Sequence, residues 1–306
     1  MGWSRRSVLD LTFRATPLLG LPASLLISGP ATAALLAPEA AAPLPATMRT
    51  RLVCIGGTIT EILYALGAES SIVGIDSTSN YPPQALKDKA NIGYMRQVSP
   101  EGVLSLNPSL VLVMRDSGPA SALSQIAHSP VPMIYVDATP TAEAVIGRVR
   151  FLGQLLDLTA QSNKLAAKIQ LGFTQLAALR AQQKNTPKVM FVLTATGNQA
   201  MIGGAGTAAD SIIKLAGGQN AAANAHGYVM AGAESIISMA PDVILTMQHG
   251  GAPLPDHLLK MPGFINTPAG INNASIAMDG ELLLGFGPRT PEAGLDLARH
   301  LQALVA

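Results

Sequence analysis

The chain repeats itself, and the repeat limits what it can fold into. GTITEILYALG from Gly57 returns as GTAADSIIKLAGG from Gly206, and EGVLSLNPSLVLVM from Glu101 returns as ESIISMAPDVILTM from Glu234. In the second pair Glu101 and Glu234, Ser105 and Ser238, Pro108 and Pro241, Leu112 and Leu245, and Met114 and Met247 coincide without a gap. Two matches in the same order imply two duplicated lobes. Each copy of the first segment has the form of a capped helix, with Gly-Thr, a carboxylate three positions after the threonine, apolar residues at helical spacing and a final glycine. Each copy of the second reads as a short amphipathic helix stopped by proline, then an apolar run that suits a strand buried on both faces.

Further strands are expected at 52–55, 72–75 and 133–136 in the first lobe and at 189–193 and 275–278 in the second. Strands alternating with helices predict an α/β fold with mostly parallel sheets in each lobe. Between the lobes, Val145, Val149, Leu152, Leu155 and Leu156, then Leu165, Ile169, Phe173, Leu176 and Leu179, keep helical spacing. Pro140 suits a first turn, and Thr159 suits the cap of a second, longer helix. A helix of roughly 25 residues spans about 37 Å and would act as a rigid strut. The expected division is therefore a first lobe at 51–138, interlobe helices at 139–185 and a second lobe at 186–306. Ligands of such sheets bind outside the carboxyl ends of the strands, where loops of both lobes converge.

With 306 residues, 48% hydrophobic and 13% charged, the chain can bury a large core. A formal net charge of +1 offers no field for nucleic acid or an acidic surface. The single cysteine, Cys54, excludes a disulfide framework and a thiolate metal cluster, and its place in an apolar strand makes it a core residue. At the N-terminus, Arg5 and Arg6 precede an uncharged apolar run that ends near Ala31-Thr32-Ala33. That order is a secretory signal of twin-arginine type over 1–33, cut near Ala33, so the mature chain is expected outside the cytoplasm. Residues 34–50, rich in Ala and Pro, read as a disordered leader.

No GxSxG elbow, phosphate loop, HExxH or CxxC occurs, so nothing supports an enzyme. Of the histidines, His128 and His300 fall in solvated helical positions and His257 in a Pro-rich surface stretch. His226 and His249 could reach the cleft. NIGYMRQVSP at 91–100 is different, because Gly93 and Ser99-Pro100 break regular structure around Tyr94. A phenol ligates metal as phenolate, its free pKa of about 10 must fall for that, and a neighbouring guanidinium favours the charged form. Tyrosinate is a haem ligand, and an arginine two residues on can bond the phenolate or pair a propionate. By itself the motif also fits a tyrosine that is merely exposed.

From about Arg51 to its end the chain resembles the periplasmic haem-binding proteins that feed haem ABC importers, within the cobalamin and siderophore class of solute-binding proteins. The resemblance rests on GGTITEILYALG, NIGYMRQVSPEGVLSLNPSLVL, GTAADSIIKLAGG, AESIISMAPDVIL and GFGPRTPEAGLDLA, of which GYMR is the specific part. It implies a class III periplasmic binding protein fold and a monomeric periplasmic carrier of haem with no catalysis. It implies Tyr94 as axial iron ligand supported by Arg96, Tyr228 against the macrocycle, and Arg289 either facing a propionate or holding its loop. The sixth position would fall to water, His226 or His249. Glu101 and Glu234 would dock on arginines of a two-fold permease dimer. Two departures stand out: LTATGNQAM lacks a histidine that some relatives carry there, and GYVMAGAES lacks a basic residue after its tyrosine. A cobalamin or ferric-siderophore carrier of the same fold is the alternative.

Overall fold

The computed structural model describes residues 42–248 and 258–304. The expected export signal, His249 and His257 lie outside the described residues. The first lobe is built on β1 (Leu52–Ile55), β2 (Ile72–Ile75), β3 (Ala90–Asn91), β4 (Leu110–Met114) and β5 (Met133–Val136), with α1 (Gly57–Ala65), α2 (Ala85–Asp88), α3 (Pro100–Leu104) and α4 (Ala120–Ala127) between them. All its strand pairings are parallel, in the order β3-β2-β1-β4-β5. The continuous apolar runs LVCI and LVLVM are buried along their whole length, as central strands covered on both faces must be. Cys54 lies fully buried in β1, and burial pushes its thiol pKa up.

Helices α5 (Ala142–Leu155) and α6 (Thr159–Arg180) follow, then β6 (Lys188–Thr196), β7 (Gln199–Gly203), α7 (Ala208–Leu215), β8 (Gln219–Asn220), β9 (Tyr228–Gly232), α8 (Ala233–Met239), β10 (Val243–Gln248), α9 (Pro268–Ile271), β11 (Ser275–Asp279), α10 (Gly280–Leu284) and α11 (Thr290–Leu304). The second sheet runs β11-β10-β6-β7-β9, with β8 on β6. Its pairings of β10 with β11 and β6 and of β6 with β8 are parallel, as expected of a mostly parallel sheet, while β6–β7 and β7–β9 are antiparallel. Gly197-Asn198 makes a two-residue hairpin between Thr196 and Gln199, with Gly197 at φ +60°. The first half of β6 is buried on both faces, whereas residues 193–196 alternate between half-buried and exposed, which is the pattern of a strand with one wet face.

The repeats form matching elements, α1 and α7, α3 and α8, β4 and β10, but diverge in their ends. Asn107 and Ala240, each just before the repeated proline, both turn left-handed at φ 47° and 46°. Helix α7 is capped as expected, with Asp210 N donating to Thr207 Oγ1 (3.1 Å) and Gly206 N to the Asp210 carboxylate (3.2 Å). Helix α1 is not. It starts earlier, after Gly56, and its first amides donate to borrowed acceptors: Gly56 N to Asp76 Oδ1 (2.8 Å) and Gly57 N to Thr78 Oγ1 (2.9 Å). Thr58 and Glu61 are thereby released from capping. The Thr58 hydroxyl donates to the carbonyl of Gly285 and the Glu61 carboxylate holds Arg289, both in the second half of the chain.

Between the sheets, α5 is capped by Thr141, whose Oγ1 accepts from Ala144 N (3.2 Å), so Pro140 lies just outside the helix rather than in its first turn. Helix α6 begins at Thr159 itself, with no side-chain cap at Leu158. Its 22 residues span about 33 Å. It packs on α5, which also touches α1, and on α11. One apolar cluster runs without a break from the first sheet through Val149 and Leu152 of α5 and Ile169 and Phe173 of α6 to Ile212 of α7 and Leu297 of α11. Arg148, almost fully buried, donates to the carbonyls of Asp137 (2.7 Å) and Phe286 (2.9 Å) and adds a polar tie across the same boundary. The expected leader is corrected from Leu44 onward. Leu44 N donates to Leu155 O (3.0 Å), and Arg49 donates to Leu156 O (2.9 Å) and pairs with Asp157 (3.1 Å).

Candidate functional site

Loops at the carboxyl ends of β1, β2, β4, β10 and β11 open onto a cleft of about 1260 Å³. Its apolar lining includes Met95, Met114, Leu193, Met201, Met247, Leu284 and Phe286; Met114 and Met247 are repeat partners. Thioethers are unbranched and polarizable, so they conform to a flat apolar ligand. Arg96 is the one cationic side chain lining the cleft among the described residues, beside the acids Asp116, Asp279 and Glu281.

Tyr94 is presented by a loop that is itself firmly held. Gly93 sits at φ +92°, its amide donating to Asn91 Oδ1 (2.9 Å) and its carbonyl accepting from Ser77 N (2.7 Å). Met95 is buried beneath, while Tyr94 remains 39% exposed. Arg96 donates from Nη1 to the Tyr94 hydroxyl and from Nη2 to Asp116 Oδ2, both at 3.1 Å. Burial weakens the guanidinium's hold on its proton, but the Tyr94 and Asp116 oxygens more than offset this and its pKa stands above the ordinary value.

Tyr228 stands in the corresponding place of the second lobe. It follows Gly227 at φ +70°, lines the cleft, is 41% exposed and meets Phe191 edge-on with centroids 6.4 Å apart. Burial raises its pKa; Arg96 pulls it down, and Asp116 pushes it up again. This Gly-Tyr correspondence was present in the sequence but hidden, because the stretch from tyrosine to glutamate is one residue shorter in the second lobe.

A family model described as periplasmic binding protein matches residues 52–282. The chain belongs to that family. Family members are solute-binding proteins rather than enzymes. Among solved structures the chain resembles the periplasmic haem-binding protein RhuT from Roseiflexus sp. RS-1 in apo form, at 37% identity and TM-score 0.79, with 84% of this chain and 99% of that chain covered. It also resembles the periplasmic haem-binding protein BhuT in complex with two haems, at 35% identity and TM-score 0.78, with 84% and 99% covered. A curated relative, the vitamin B12-binding protein of Vibrio parahaemolyticus, is 24% identical over 255 residues, 83% of this chain and 90% of the relative.

Against this family background the remaining expected residues divide. Arg289 does not line the cleft. Its guanidinium holds both oxygens of Glu61 and lies 3.5 Å from the centre of the Tyr81 ring, so it secures its loop. His226 is exposed, with Nδ1 beside the lining residue Gly206, and is not itself among the lining residues. Glu101 and Glu234 are exposed in the first turns of α3 and α8, and neither has an ion-pair partner among the described residues. Three acidic lining residues escaped the sequence: Asp116, two positions past the end of β4, Asp279 at the end of β11, and Glu281 in α10. The carboxyl of Glu281 packs against Gly57 and Gly285. Burial, with the nearby Glu61 and Asp76 carboxylates, pushes its pKa up to about 8 against the pull of Arg289.

Proposed function

We propose that the chain is a periplasmic carrier that binds haem in this cleft through Tyr94 and hands it to an ABC permease. The observation that carries this is the Tyr94–Arg96 pair: a half-exposed phenol in a cleft with a thioether-rich apolar lining, with a guanidinium nitrogen 3.1 Å from its oxygen. A phenolate there would bind ferric iron, and Arg96 would stabilise its charge without competing as a ligand. The thioethers and Phe286 would cover the porphyrin faces. The two haem-binding neighbours above 30% identity support the same ligand class. Arg96, the one basic side chain lining the cleft among the described residues, is committed to Tyr94 and Asp116, so the propionates would lie at the open mouth, in water. Glu101 and Glu234, one per lobe and unpaired, would meet the two halves of a permease.

Cobalamin is the second reading, favoured by the vitamin B12-binding relative. A haemin titration of the exported domain, beside Tyr94→Ala, separates the two. A saturable high-spin tyrosinate spectrum that the substitution abolishes supports haem. Saturable cobalamin binding indifferent to Tyr94→Ala, with no haemin spectrum, overturns it.

A further inference from the structure

We propose that Asp116 is the positioning residue that assigns axial ligation to Tyr94 rather than to Tyr228. The proposal rests on the haem reading and deepens it. The two tyrosines hold equivalent places, each after a positive-φ glycine, each lining the cleft and exposed to the same degree. The repeat alone gives an incoming iron no reason to prefer one. Their hydrogen bonding differs. Tyr94 accepts from Arg96, whereas the Tyr228 hydroxyl has no partner among the described residues.

Arg96 is a long side chain with more than half its surface in solvent, and one contact to a phenol would not fix it. Asp116 supplies the second contact. The guanidinium is a planar fork, so pinning Nη2 on Asp116 Oδ2 directs Nη1 toward Tyr94. The carboxylate is a fixed post because its turn is stitched by backbone bonds: Arg115 N to Val136 O (2.9 Å), Ser117 N to Met114 O (2.9 Å), Gly118 N to Met95 O (3.0 Å) and Val98 N to Gly118 O (3.0 Å). Two of those bonds join it to the Tyr94 loop, so Asp116 keeps its place relative to Tyr94 with or without the ion pair. Both of the Arg96 bonds go to first-lobe partners, so anchoring Arg96 on Asp116 withholds it from Tyr228 in the second lobe.

The test is haemin binding, dissociation rate and the resonance Raman signature of the iron–phenolate bond in the exported domain. The proteins compared are wild type, Asp116→Ala, Asp116→Asn, Arg96→Ala and Arg96→Ala/Asp116→Ala, with Asp116→Ala repeated in a Tyr94→Phe background. Asp116→Ala is expected to shift the phenolate signature toward that of Arg96→Ala and to speed haem loss about tenfold, the cost of one charge-assisted bond. Asp116→Asn keeps an acceptor oxygen and restores most of the signature. The double variant matches Arg96→Ala alone. In Tyr94→Phe the sign reverses, and Asp116→Ala tightens haemin binding through Tyr228. An unchanged signature in Asp116→Ala, additive loss in the double variant, or equal weakening in both backgrounds overturns the proposal. Failure of the haem reading looks different: the wild type then shows no tyrosinate spectrum.

Discussion

Arg289 donates from Nε and Nη2 to the two carboxylate oxygens of Glu61, both at 3.1 Å, across 228 residues of sequence. Its backbone amide donates to the same carboxylate (3.2 Å), and the pair is largely removed from solvent, with Glu61 6% and Arg289 20% exposed. Removing one partner strands the other. We expect Glu61→Ala to cost about 3–5 kcal/mol and the double variant Glu61→Ala/Arg289→Ala to cost less than the sum of the two single changes. Urea denaturation checks both; a loss near zero for Glu61→Ala would mean that water screens the pair.

Glu281 gives the fold a pH dependence of known sign. Its folded pKa of about 8 lies above the ordinary 4.5, so the folded chain keeps a proton that the unfolded chain releases. Its contribution is whole below pH 4.5 and is lost as pH rises toward 8. Glu281→Gln should flatten that slope and raise the melting temperature at about pH 8.5 more than at about pH 5. Melting scans at the two values decide; an equal shift at both would show that Glu281 ionises normally.

Gly93 sets the Tyr94 loop by backbone alone, since nothing lies within 4 Å of a Cβ built there, yet φ is +92°. Gly93→Ala should cost about 1–2 kcal/mol and weaken haemin binding through a displaced Tyr94. Denaturation and titration of the same sample measure both, and an unaltered affinity would show that the loop presents the phenol without its glycine.

Glu101 and Glu234 lie outside the cleft, on exposed helix starts. Changing both to lysine should leave haemin affinity within about twofold and abolish stimulation of the permease ATPase, because reversed charge would face its arginines. ATPase rates with the cognate permease in proteoliposomes provide the check. Unimpaired stimulation would remove these residues from the interface.

The strands were legible where burial on both faces left an apolar signature, as at Leu52–Ile55 and Leu110–Met114. The antiparallel hairpin was legible in principle, through Gly197-Asn198 and the alternation after Leu193, but a run that begins as a doubly buried strand conceals the change of direction. Thr58 and Glu61 carried the local form of a cap, and only the arrival of Gly285 and Arg289 from the far end of the chain gave them other work. Tyr94 and Arg96 stood out as neighbours in sequence. Asp116 did not, because its partner is 20 residues away and the link exists only once β4 ends beside the Tyr94 loop.

The apolar cluster that passes unbroken from one lobe into the other leaves the molecule no jaw to shut. A cargo in such a frame is retained by the lifetime of its own bonds rather than by a door. On the proposed function, a transporter would meet nearly the same spacing of Glu101 and Glu234 in loaded and empty carriers. The two forms would then compete for one docking platform, and uptake would follow the loaded fraction of the pool. Unloading would then set the transporter against that shared interior of the two lobes.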